Sequence, residues 1–244
     1  MSLGDLQGLR VSAADALFLD FDGTLAELGP DPDAVFLTEA AAAAVAALAE
    51  TLAGAVALIS GRDVRDLSKR STDAAWRAGG HGLEILAPGE AAAPSPPPPE
   101  DAVLAPLRAV EAAHEGVRVE LKGPVAALHY RHAPEAREAC LEAARKAAAA
   151  AAEHVWQAGK MVVEVKPARA HKGTALRAMM ERPPFHGRRP LMLGDDATDE
   201  DAIRVAQELG GLGVKIGEGD TAARLRAPDP EAVRAWLARE AGRS

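Results

Sequence analysis

Ala16-Leu17-Phe18-Leu19-Asp20-Phe21-Asp22-Gly23-Thr24-Leu25 opens on four apolar residues and then turns acidic twice, at Asp20 and Asp22. A short apolar run bounded by a turn signal reads as a fully buried strand, and Asp-Gly supplies the turn. The pattern recurs: Ala55–Ile59 ends at Ser60, and Pro190–Leu193 runs through Gly194 into Asp195 and Asp196. Trp76–Ala78 and Gly213–Ile216 read as two more strands, while helical periodicity fills Thr38–Leu52, Val64–Lys69, Lys172–Met180, Thr198–Leu209 and Glu231–Arg239. Thr38 is placed to cap the first of these helices. Apolar strands alternating with helices predict a doubly wound, Rossmann-like parallel sheet covered on both faces, an α/β fold.

The middle of the chain breaks this alternation. Pro94–Pro99 reads as a stiff polyproline-like connection. Beyond it come a helix near Ala102–Ala113, alternating Val117–Leu121, and Val125–Tyr130 after a hairpin-like spacer. A long Ala-rich helix is expected over Glu135–Glu153, followed by alternating Met161–Val165. The expected organisation is a core of residues 1–86 and 168–244, interrupted by an antiparallel α+β unit over residues 87–167.

Of the 244 residues, 36 are acidic and 28 basic, a formal charge of −8, which argues against a nucleic-acid partner. The single cysteine, Cys140, excludes an internal disulfide and reads as a small helix-face residue. No uncharged apolar run reaches the ~18 residues of a membrane span, and the first residues lack a secretory pattern. A cytoplasmic protein without membrane attachment is expected.

Ligands of open parallel sheets bind beyond the carboxyl ends of the strands. Asp20, Asp22, Ser60, Asp195 and Asp196 all follow apolar runs, Asp199 lies one helical turn further on, and Lys172 opens a helix. Carboxylates converging from separate strands repel unless a cation lies between them, and an all-oxygen donor set points to Mg2+. Anions, a lysine, a serine and a divalent metal together suit a phosphoryl group, whose charge must be spread in the transition state. Arg62 either binds phosphate or begins the helix after Ser60, and His81, between glycines, either orders a turn or touches substrate.

In their order along the chain, DFDGTL at 20–25, Ser60, Lys172 and GDDATD at 194–199 resemble the four motifs of the haloacid dehalogenase superfamily. The resemblance implies Asp20 as nucleophile, Asp22 as general acid and base, and Ser60 and Lys172 as further catalytic groups. It places the metal on Asp20, the Asp22 carbonyl and Asp195, with Asp199 supporting that shell, and makes the inserted unit an α/β cap. ISGR at 59–62, GGHGLE at 79–84, VELKG at 119–123, HYR at 129–131 and GKMVVEVKP at 159–167 are similar to the trehalose-6-phosphate phosphatase family. Membership would make the substrate a small sugar phosphate and the protein a monomer with no obligate partner. Glu120, Lys122, Arg131, Lys160 and Glu164 would grip the sugar, and Ser60, Gly61, Arg62, His81 and Asp196 would complete the substrate contacts. Lys160 and Glu164 are expected to share one face of an alternating strand. Sucrose-phosphate and mannosyl-phosphoglycerate phosphatases are the nearest alternatives. A phospho-accepting signalling domain and an inactive sugar-phosphate sensor are the alternatives of another class.

Overall fold

The computed structural model describes residues 4–29, 31–159 and 161–243, with only the backbone of residue 32. The strands are β1 Gly4–Asp5, β2 Asp15–Leu19, β3 Val56–Ile59, β4 Trp76–Gly79, β5 Glu84–Leu86, β6 Arg118–Lys122, β7 Val125–His129, β8 His154–Gly159, β9 Val162–Pro167, β10 Arg189–Gly194, β11 Leu212–Ile216 and β12 Leu225–Ala227. The α-helices are α1 Glu39–Thr51, α2 Val64–Arg70, α3 Asp101–Ala113, α4 Arg137–Ala149, α5 Lys172–Met180, α6 Ala197–Glu208 and α7 Pro230–Ala241. They fall into two compact units, Met1–Ala92 with His171–Ser244, and Ala93–Ala170.

The first unit holds an eight-stranded sheet in the order β1-β12-β11-β10-β2-β3-β4-β5. Every pairing is parallel except β4 with the edge strand β5. Crossovers from β2 to β3 and from β10 to β11 run in opposite directions, and their right-handedness puts α1 and α6 on opposite faces. Helix α7 packs on α1, and α5 packs on α6. Strands β2 and β10 are neighbours, Leu19 opposite Leu193, so the reversal of strand order falls between the two strands that end at the acidic motifs. Every residue of β2 and β3 is buried, which explains why both read as unbroken apolar runs.

The second unit is an antiparallel sheet, β6-β7-β9-β8, with α3 and α4 against it. Ala126, Leu128, Val163 and Val165 form its apolar face with Val103, Leu107, Ala143 and Ala147, and Cys140 is buried among them on α4. The structure corrects the long helix expected over Glu135–Glu153. Helix α4 stops at Ala149, and β8 follows from His154 to pair with β9 along its length. The short strands β1, β5 and β12 were also not visible in the pattern.

Leu58 is fully buried at the centre of β3. Leu58→Ala should lower unfolding stability by about 2–5 kcal/mol through lost transfer energy and the cavity left behind. Urea unfolding should show a lower midpoint at an unchanged m-value.

Candidate active site

Asp20 follows β2 directly and is bound to its neighbour through its backbone N–H, which donates to the Leu193 carbonyl at 3.0 Å. Lys172, the first residue of α5, reaches across to it. The ammonium donates to Asp20 Oδ1 and to Asp199 Oδ1, both at 2.7 Å, and all three side chains are nearly sealed from solvent. Asp199 sits in the first turn of α6, and its second oxygen accepts from the backbone N–H groups of Asp195 and Asp196 at 3.0 and 3.1 Å. Asp196 reciprocates as the N-cap, accepting from Thr198 and Asp199 N–H to complete a capping box. One carboxylate thus shapes the loop that presents Asp195.

Asp20, Asp195 and Asp199 offer oxygens that all lie within 4.8 Å of one another. Burial pushes the Asp20 carboxyl well above the usual range, with Asp199 adding to the effect and Lys172 opposing it. Burial together with Asp199 and Asp196 pushes Asp195 up to about 7, and burial raises Asp199 to about 6 although Lys172 draws it down. Burial would also raise Asp196, but Lys172 and the Thr198 hydrogen bonds hold it at about 2. Burial alone would lower the Lys172 ammonium, but Asp199 and Asp20 outweigh it and keep the proton on. An all-oxygen set this crowded, short of positive charge, fits a hard divalent cation. Gly23, with φ of 81°, turns the chain beside it, and a Cβ there would run into the Asp195 carboxylate.

Asp22 does not turn its side chain into this cluster. Arg62 holds it in a two-point ion pair, Nε to Oδ2 at 2.7 Å and Nη2 to Oδ1 at 2.6 Å, and also binds Asp66 at 2.9 Å. Burial lowers the guanidinium's proton affinity, but the bonds to Asp22 and Asp66 more than restore it. Of the two readings of Arg62, helix initiation fails: Asp63 caps α2, and Arg62 lies in the loop before it. Ser60 does not cap that helix either; its Oγ accepts from the Arg62 N–H at 3.1 Å. The His81 backbone orders the turn after β4, donating to the Ser60 carbonyl at 2.9 Å with φ of 57°, while its buried ring packs against Gly61. Lys215 escaped sequence reading altogether. It is buried on β11, and its ammonium donates to the Asp195 carbonyl; only strand adjacency could have revealed it.

In the second unit, Glu120 and Glu164 lie in one register row with Ala127 between them. Lys122 stands near both, 3.6 Å from Glu120 and 4.0 Å from Glu164. His129 adds a hydrogen bond to Glu120 at 2.8 Å, which first among several causes holds that carboxyl at about 2. Arg131 is exposed in the turn after β7. Lys160, and with it the expected shared face with Glu164, lies outside the described residues, while Glu164 itself lies on β9.

The fold is shared with solved structures of known phosphatases. A HAD subclass IIB sugar phosphatase matches with a TM-score of 0.61 at 14% identity, over 93% of this chain and 98% of its own. The C-terminal domain of C. albicans trehalose-6-phosphate phosphatase matches with a TM-score of 0.79 at 21% identity, over 95% and 93%. A family model described as trehalose-phosphatase matches residues 18–231. The chain belongs to the trehalose-phosphatase family, whose members are phosphoric monoester hydrolases. The trehalose-6-phosphate phosphatase of Escherichia coli (strain K12) is 38% identical over 238 residues, covering 93% of this chain and 87% of its own. A "Probable trehalose-phosphate phosphatase" of Sinorhizobium fredii is 40% identical over 229 residues, covering 91% and 86%. Among the described residues no helix is long and apolar enough to cross a membrane.

The raised carboxyls carry a stability consequence. A carboxyl whose pKa is higher in the folded than in the unfolded chain stabilises the fold when protonated, and this is lost as pH rises through the folded value. For Asp195 and Asp199 the loss runs from near pH 4 to about 6–7. Metal-free protein should therefore melt at a lower temperature at pH 8 than at pH 5. A millimolar divalent cation should narrow the gap, and Asp195→Asn should narrow it without metal. Equal Tm at both pH values in chelator would contradict the electrostatic reading.

Proposed function

We propose that the protein hydrolyses trehalose 6-phosphate to trehalose and phosphate with Mg2+, through a phosphoaspartyl intermediate on Asp20. The observation that carries the proposal is the Asp20–Lys172–Asp199 contact beside Asp195, at the reversal point of the sheet in a chain of this family. Asp20 and Asp195 would hold the ion with the Asp22 carbonyl, and Asp199, occupied by Lys172 and two loop amides, would orient them. Magnesium, when bound, supplies the positive charge that keeps Asp20 ionised and offsets the phosphoryl oxygens.

With Oδ1 held by Lys172, Asp20 attacks phosphorus through its other oxygen. The bond from phosphorus to the sugar oxygen breaks, its electron pair stays on that oxygen, and Asp22 supplies the proton. Water then attacks the phosphoaspartyl group with Asp22 as base, releasing phosphate and restoring Asp20. In the free protein Arg62 occupies both oxygens of Asp22. A phosphate dianion competes for that guanidinium as substrate arrives, and Asp22, released from the ion pair, takes up from water the proton it then delivers to the leaving oxygen. Ser60, Gly61, His81 and Asp196 would line the phosphate side. The first unit is the catalytic core and the second a cap that reads the sugar through Glu120, Lys122, Glu164, Arg131 and Lys160. Ionised carboxylates flanking an ammonium suit a neutral, polyhydroxylated ligand, because each hydroxyl both donates and accepts. The protein acts as a cytoplasmic monomer in this reading.

Phosphate release from a panel of sugar phosphates, with and without Mg2+, tests the assignment. Trehalose 6-phosphate should be preferred, and equal rates on sucrose 6-phosphate would remove the sugar assignment. Asp20→Asn should cost more than ~10³-fold in kcat on every substrate, because an amide cannot replace the nucleophile. Lys122→Ala and Glu164→Ala should each cost roughly 1.5–3 kcal/mol on the sugar phosphate, one to two decades in kcat/KM. An aryl phosphate should be hydrolysed nearly as before; parallel losses on both substrates would refute a sugar-reading role.

A further inference from the structure

His171 and Asp201 take no part in the chemistry above, yet each adjoins a residue that does. His171 precedes Lys172, and Asp201 follows Asp199 by two positions on α6. Their side chains meet, His171 Nε2 to Asp201 Oδ2 at 2.8 Å. The other ring nitrogen, Nδ1, accepts from the Thr174 backbone N–H at 3.4 Å and caps α5. An accepting Nδ1 leaves the proton of the neutral ring on Nε2, and that N–H donates to Asp201. Both nitrogens are therefore committed, one to α5 and one to α6. Arg204 donates to the second oxygen of Asp201 at 3.2 Å and steadies its rotamer. The two helices approach closely here. A Cβ at Gly173 would stand 3.1 Å from the Asp201 carbonyl oxygen and 3.1 Å from His171 Cε1.

Chain order makes this contact matter. The polypeptide returns from the second unit to the first at His171, and Lys172 is the next residue. Its ammonium must then stay within 2.7 Å of two carboxylates on different elements. A lysine at the first residue of a helix has no preceding turn to hold it.

We infer that His171 is a positioning residue for Lys172, and that the His171–Asp201 pair latches α5 to α6 just outside the Lys172–Asp199 contact. The inference rests on the assignment of Lys172 to the reaction. Both side chains of the latch are about two-fifths exposed, and a pair of that kind adds little to folding stability. Its effect is geometric: a small misplacement of a group that meets the reacting atoms is costly in rate.

The test measures kcat, KM and Tm for phosphate release from an aryl phosphate and from trehalose 6-phosphate. His171→Ala and Asp201→Ala should each lower kcat roughly tenfold on both substrates, with KM within about twofold and Tm nearly unchanged. His171→Gln, which keeps a donor in reach of Asp201, and Asp201→Asn, which keeps an acceptor, should restore most of the rate. His171→Asn keeps the helix cap without reaching Asp201 and should behave as the alanine variant does. The double alanine variant should be no slower than either single one. Unchanged kcat in the single variants, multiplying losses in the double one, or a loss of Tm in proportion to kcat would each overturn the latch. Lys172→Met is the reference: if it retains activity, the reading of Lys172 fails; if it is inactive while the latch variants keep the parent's kcat, only the latch fails.

Discussion

Three carboxylates drawn together away from water repel one another, and the core of this protein is arranged around that repulsion. Asp20 and Asp199 share one buried ammonium, Lys172, with Asp195 beside them, and the balance stays acidic, as the raised Asp20 and Asp195 show. Such a cluster persists only where the scaffold holds it, because each group would gain by returning to water. The scaffold is the parallel sheet. Asp20 and the Asp195 loop leave adjacent strands at the same edge, and α5 and α6 bring Lys172 and Asp199 to it from one face. The deficit of positive charge leaves the cluster suited to a hard divalent cation.

The two units use charge differently. In the core, each carboxylate has a distinct fixed environment. Asp199 is filled by Lys172 and two amides, Asp196 is absorbed in a helix cap, and Asp22 is held by Arg62. In the second unit the charges stand on one face of an antiparallel sheet, partly open to water, with Lys122 near two glutamates and His129 on one of them. The first arrangement fixes positions to within a hydrogen bond; the second offers donors and acceptors to a ligand with many hydroxyls.

Much of this was legible before the fold was known. Buried parallel strands are apolar on both faces, so β2, β3 and β10 stood out as unbroken runs, and the acidic residues just after them marked the site. Periodicity gives α5 its actual ends and Thr38 signals the α1 cap, because caps and periodicity are local. Where local preference and tertiary pairing disagree, the pattern misleads. Six consecutive alanines at 147–152 contain no stop signal, yet the helix ends at Ala149 because the chain must turn back to lay β8 along β9.

From the sequence alone follow the α/β class and the nomination of Asp20, Asp22, Asp195, Asp199 and Lys172 as candidate site residues, since each is tied to a strand end or helix start by local chemistry. Only the tertiary structure decides how their charges are shared. That Arg62 holds Asp22, that Lys215 supports the Asp195 carbonyl, and that His171 reaches Asp201 all depend on which elements become neighbours. Strand order and helix packing are set by the whole core, and contacts between residues up to 40 positions apart carry no periodic signature in the chain.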